Sequence, residues 1–165
     1  MSGILTDNLG RGSGLMKAAA GGGKVLQAVY ATWSGEFTTS STSYVNVTNA
    51  NVVITPTSAT SRVVVLIGVG RFMSQTTSNN AVISMRREVT SDASDLYGDL
   101  HATYGIMHTS AVSHPAGGFF YDDMSTNDPG LVSLTYRLRA KMDANTLTIG
   151  RAGDLNSLLA LEIEA

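Results

Sequence analysis

Three histidines, His101, His108 and His114, and the pair Asp122-Asp123 have the residue types best suited to metal or acid–base chemistry. His101 and His108 stand seven apart, so on a strand they point to opposite sides and serve one ion poorly. His114 precedes a proline in a loop-like stretch. A site joining it to Asp122 and Asp123 is the remaining arrangement, against the commoner role of a surface histidine. Asp128-Pro129-Gly130 reads as a turn, and the Asp-x-Asp-x-Asp-Gly register of a calcium loop is absent. Paired carboxylates for glycoside cleavage come down to Glu36, Glu88, Glu162 and Glu164, by elimination. Alternation places Glu162 and Glu164 on an outer face, where solvation is the expected role. There is no Gly-x-Ser-x-Gly elbow. Gly21-Gly22-Gly23-Lys24 is followed by Val25 and not by the hydroxyl that a phosphate loop needs for Mg²⁺. Gly10–Gly14 lacks dinucleotide spacing and a preceding strand. Arg86, Arg87, Arg137, Arg139 and Lys141 suggest a basic stripe, read as a salt-bridged face because acidic neighbours nearly cancel it. With no cysteine there is no thiolate metal site, nucleophile or disulfide. The chain is therefore expected to be no enzyme, with no catalytic residue, cofactor or metal.

The elements that would position these residues are strands. Strand signals recur over Val25–Trp33, Tyr44–Val47, Asn51–Thr55, Arg62–Met73, Ala81–Val89, Ala102–His108, Gly118–Tyr121, Leu131–Met142, Thr146–Ile149 and Ser157–Glu164. A polar kink at Thr48–Ala50 separates the second and third. Between the others lie Ser/Thr/Asn/Gly/Pro loops, including Thr38–Ser43, Pro56–Ser61 and Gly150–Asn156. Leu134, Tyr136, Leu138, Ala140 and Met142 alternate with Ser133, Thr135, Arg137, Arg139 and Lys141. Leu159, Leu161 and Ile163 alternate with Ala160, Glu162 and Glu164. Period two means one face on a core and the other outward. Helical spacing is not sustained anywhere, and Asp92–Gly98 has room for one short turn at most. The expected fold is all-β: an antiparallel β-sandwich or jelly roll of about eight strands with an extended Gly-rich N-terminal arm. The arm spans residues 1–24 and the sandwich 25–165. Ile4, Leu5, Leu9, Leu15 and Met16 punctuate the arm as apolar anchors, which a plain flexible linker has no need of; a disordered tail is the alternative. Val63-Val64-Val65-Leu66-Ile67 is apolar at both parities. Loops draped over a central strand would explain it. The preferred reading is a strand whose outer face is covered by another subunit, with Val63, Val65 and Ile67 as interface residues.

Composition narrows the function classes. The 165 residues carry a net charge of −2, which does not suit a nucleic-acid binder. Only 15% are charged, and 18 Ser and 18 Thr fill the gap. The apolar fraction of 43% is too high for a disordered chain. The start shows no secretion signal, and the longest apolar run, Val63–Ile67, is far short of a membrane span. A soluble protein with no nucleic-acid or membrane partner is expected.

The runs GKVLQ (Gly23–Gln27), TSYVNV (Thr42–Val47), ITPTSATSRVVVLIGV (Ile54–Val69), FFYDD (Phe119–Asp123), LTYRLRAK (Leu134–Lys141) and LALEIEA (Leu159–Ala165), with the arm LGRGSGLMK (Leu9–Lys17), resemble small virion structural proteins of tailed bacteriophages, notably phages of marine and freshwater bacteria. The resemblance spans essentially the whole chain and rests on strand and turn signatures. It implies a trimeric jelly roll, broadly similar to tumour-necrosis-factor or complement-type heads, at the virion surface and assembled in the host cytoplasm. It brings no catalytic residues. Two roles compete under it. One is a capsid decoration (cement) protein whose arms reach over the major capsid protein; the other is a tail-fibre or receptor-binding tip held by tail proteins. A fibre needs a shaft, and the chain has neither heptads nor repeats. That favours decoration. A polysaccharide-degrading tailspike is a distant third.

Overall fold

The computed structural model describes residues 23–74, 79–89, 99–108, 113–124 and 130–164. Every regular element among them is a strand: β1 (Val25–Trp33), β2 (Phe37–Thr39), β3 (Val45–Ile54), β4 (Arg62–Ser74), β5 (Asn79–Val89), β6 (Asp99–His108), β7 (Ser113–Asp123), β8 (Leu134–Met142), β9 (Leu147–Ile149) and β10 (Asn156–Ile163). They form two antiparallel sheets. In one, β1 pairs β10, β10 pairs β4 and β4 pairs β7, while β9 and β2 extend the far end of β4. The other has the order β3-β8-β5-β6. The eight long strands visit the two sheets in the order of a jelly roll, the expected fold.

The core lies between the sheets. All five inward residues of β8, from Leu134 to Met142, are fully buried, and they face Val63, Val65, Ile67, Phe120, Leu158 and Ala160 of the opposite sheet within one cluster. This alternation is as the sequence reads. The kink at Thr48–Ala50 does not end a strand. β3 runs through it as a bulge: pairing with β8 shifts between Asn46 and Asn51, and Asn49 takes a left-handed φ of 60°. A bulge lets one strand bend without losing the rest of its ladder. The structure adds the three-residue β2 inside a stretch that reads as loop. At Gly150 (φ 72°) a Cβ would sit 2.6 Å from the Gly35 carbonyl oxygen, so only glycine lets these two corners meet. Ile4, Leu5, Leu9, Leu15 and Met16, and the turn expected over 92–98, lie outside the described residues.

Candidate functional site

The pairing of β1, β10, β4 and β7 aligns outward side chains into rows. Tyr30 pairs Leu159, Leu159 pairs Leu66, and Leu66 pairs Phe119. In the next row Ala28 pairs Leu161, Leu161 pairs Val64, and Val64 pairs Tyr121. Opposed side chains on one face of an antiparallel pair stand about 5 Å apart, so each row is a continuous apolar strip. Tyr30 is 60% exposed, Phe119 60%, Tyr121 48% and Leu66 39%. An aromatic side chain carries roughly 200 Å². These rows therefore leave on the order of 400 Å² of contiguous apolar surface open, the size of the largest patch on a typical single chain, which is often functional.

This face corrects two expectations. Val63, Val65 and Ile67 do not form the outward side of β4; they are buried in the chain's own core, and Val64 and Leu66 face out. Likewise, on β10 the apolar parity Leu159, Leu161 and Ile163 is only half-buried, and Leu158, Ala160 and Glu162 point inward. Both reversals have the same cause: this sheet is apolar on both faces, so alternation cannot say which is inside.

Glu162 is thus buried rather than solvated, and it is held by neutral donors. Its Oε1 accepts from the Thr57 amide at 2.8 Å, the Ser58 amide at 3.2 Å and the Ser61 hydroxyl at 2.6 Å. Gln27 Nε2 donates to Oε2 at 2.7 Å and also to the Thr55 carbonyl at 2.6 Å. The Thr57 hydroxyl lies 3.1 Å from both oxygens. Burial raises the pKa of this carboxyl, but the hydrogen bonds from Ser61, Gln27 and Thr57 outweigh it and hold the group below its ordinary value. The carboxylate pins the β3–β4 connection onto β10 and β1, which is a structural task.

Several other charged residues are likewise tied up in the fold. Arg87, expected in the basic stripe, is buried instead: its Nη1 donates to both oxygens of Asp122 at 2.8 and 2.6 Å, and the Tyr136 hydroxyl donates to Asp122 at 2.7 Å. Burial, reinforced by the Asp122 charge, pushes the Tyr136 hydroxyl far above its usual range, so it stays a donor. Arg137 pairs with Glu88 at 3.1 Å, in line with a salt-bridged face. Arg139 donates to the Tyr44 carbonyl at 2.6 Å, and Arg139 and Lys141 lie 5.5 and 5.0 Å from the Tyr44 ring centre. Glu36 lies 3.6 Å from Arg71. His101 and His108 fall on β6 and His114 on β7, and their side chains are outside the described ones. No group of three potential metal ligands occurs among the described residues.

No family model matches the chain, and no curated protein matches it. Among solved structures, that of the infectious bursal disease virus Gx strain aligns with 85% of this chain and 38% of its own, at 11% identity and a TM-score of 0.44. The chain spans about two fifths of that neighbour's length.

Proposed function

We propose that this chain is a non-enzymatic virion structural protein, a capsid decoration protein that assembles as a homotrimer through the outer face of the β1-β10-β4-β7 sheet. The observation that carries it is the pair of apolar rows on that face, Tyr30–Leu159–Leu66–Phe119 and Ala28–Leu161–Val64–Tyr121. Burying about 400 Å² of apolar surface per copy yields roughly 10 kcal/mol before the costs of association. That suffices for the centre of an interface, around which a standard contact adds a polar rim to reach about 800 Å² a side. Three copies with these faces turned to a common axis cover all of it; the number three comes from the sequence resemblance. The charged clusters support a structural role, since Glu162, Asp122 and Glu88 each serve a pairing within the fold.

The arm, through Ile4, Leu5, Leu9, Leu15 and Met16, is the proposed attachment to the major capsid protein. It joins the sandwich beside the apolar face: a Cβ on Gly23 would lie 3.9 Å from Ile163, and Glu164 N donates to the Lys24 carbonyl at 2.9 Å. A protein that binds only the assembled shell stabilises it by RT ln(1 + [L]/Kd) per site, about 2.7 kcal/mol at a hundredfold excess over Kd. The test is a phage lacking the gene. It should adsorb normally and lose its packaged DNA at lower temperature than the parent. Particles that keep their heat resistance but no longer adsorb would replace the decoration role with that of a receptor-binding tail tip.

A further inference from the structure

We propose that the free edge of β1 takes up a segment of the chain's own arm, Leu15–Ala20, as an added antiparallel strand. β1 pairs β10 and no other strand among the described residues. Sheet edges are normally guarded by charges, prolines or twisting bulges. The β7 edge follows that rule with Pro115 and Asp122-Asp123. β1, VLQAVYATW, has no charge and no proline, and its one bulge sits at its start, between Val25 and Gln27. Its inner side is open too. Leu158 and Ala160 of β10 are fully buried, whereas Ala31 and Val29, paired beside them on β1, pack on the core yet stay partly exposed. The missing cover therefore lies past β1, at the edge, where a copy seated on the outer face does not reach.

The path of the chain names the occupant. It enters β1 at the foot of this edge, after Gly21-Gly22-Gly23. Gly23 has a left-handed φ of 77°, and a Cβ there would meet nothing nearer than Ile163 at 3.9 Å, so the backbone and not crowding calls for glycine. The Lys24 carbonyl points to β10, where it accepts from Glu164 N at 2.9 Å. Backbone groups alternate along a strand, so those of Val25 face the free edge. A four-residue reversal over Gly21–Lys24 sets Ala20 opposite Val25. The bulge spends one extra residue of β1. Ala18 then stands opposite Ala28, Met16 opposite Tyr30 and Leu15 opposite Ala31. Leu15 covers the open inner side at Val29 and Ala31, and Met16 extends the row Tyr30–Leu159–Leu66–Phe119. A strand tethered by four residues is at a far higher effective concentration than one from another molecule. The pairing refines the attachment proposed above and does not depend on the trimer: Leu15 and Met16 root the arm on its own sandwich, and Ile4, Leu5 and Leu9 reach the shell.

The chain has no cysteine, so engineered pairs report cleanly. In the full chain, Ala28→Cys is combined with Lys17→Cys, Ala18→Cys or Ala19→Cys, oxidised, and run denatured without reductant. Opposed residues of an antiparallel pair have Cα atoms about 4.5–5.5 Å apart, within disulfide range. Ala18→Cys with Ala28→Cys should close fastest, within one chain of 17.3 kDa. Ala18→Cys with Thr32→Cys, about 13 Å out of register, should stay reduced. Linkage between chains, at twice that mass, assigns the edge to the arm of another copy and overturns the proposal; so does a failure to close at all three positions. Hydrogen exchange gives a second reading. Ala18→Pro removes an amide donor and should speed exchange of the β1 amides at least about tenfold; unchanged exchange overturns the pairing as well. A disulfide that closes within a chain running as a monomer would remove the trimer and leave this pairing standing.

Discussion

Replacing Glu162 by glutamine keeps size and shape and changes only charge and one acceptor. The carbonyl of the new amide can take the place of Oε1 and retain Thr57, Ser58 and Ser61. Its NH2 then faces Gln27 Nε2, which is fixed by the Thr55 carbonyl at 2.6 Å and cannot turn over without setting two carbonyls against each other. One donor is stranded, and the others lose a charged acceptor. A hydrogen bond to a charged group contributes about 1.5–3 kcal/mol and a buried unsatisfied donor costs about 1–3 kcal/mol. The expected loss is about 2–3 kcal/mol, or roughly 6–10 °C in melting temperature for a domain of this size. Urea unfolding followed by circular dichroism measures it. The pH dependence sharpens the test. The folded-state pKa of Glu162 lies below the ordinary 4.5, so the carboxylate's contribution is fully present above that value and lost as pH falls through the lower folded value. The gap between wild type and Glu162→Gln should be constant at neutral pH and narrow once pH drops below about 4.5. A variant within about 0.5 kcal/mol of wild type at pH 7, or a gap that ignores acid, refutes the caged carboxylate.

Asp122→Ala leaves Arg87 as a buried charge without its carboxylate and should cost about 3–5 kcal/mol by denaturant melts, whereas Tyr136→Phe removes one hydroxyl and should cost about 1–2 kcal/mol. Gly150→Ala forces a side chain onto the Gly35 carbonyl at a left-handed φ and should lose more than about 1 kcal/mol in thermal unfolding. Arg137→Ala breaks a half-exposed pair with Glu88 and should change stability by less than about 1 kcal/mol in the same assay.

Much of the fold was legible because the strands of the β3-β8-β5-β6 sheet carry contrast. Leu134–Met142 sets apolar residues against Arg137, Arg139 and Lys141, so its inward face reads directly. The β1-β10-β4-β7 sheet carries little contrast, and there parity fails. In β4 the missing signal lay in the flanks: Arg62, Gly68 and Gly70 share a parity with Val64 and Leu66 and mark that side as outward, whereas Val69 continues the other, inward one. Glu162 was illegible for another reason. Its partners Gln27, Thr57 and Ser61 lie more than 100 residues away in the chain, and no local pattern distinguishes a caged carboxylate from a solvated one. Arg87 was read with Arg86 as surface charge, because only strand pairing sets it beside Tyr136, and only the packing of one sheet on the other brings both to Asp122.

The mass of the purified full chain in solution, by light scattering behind size exclusion, tests the assembly face most directly. Wild type should run at about 52 kDa, three times 17.3 kDa. Phe119→Glu, which puts a charge at the β7 end of the exposed row, should run at 17.3 kDa with an unchanged β circular-dichroism spectrum. Val65→Asp should instead unfold the chain, because Val65 lies in the core. A wild-type protein of 17.3 kDa at micromolar concentration, or a Phe119→Glu variant that stays at about 52 kDa, would contradict the proposed interface.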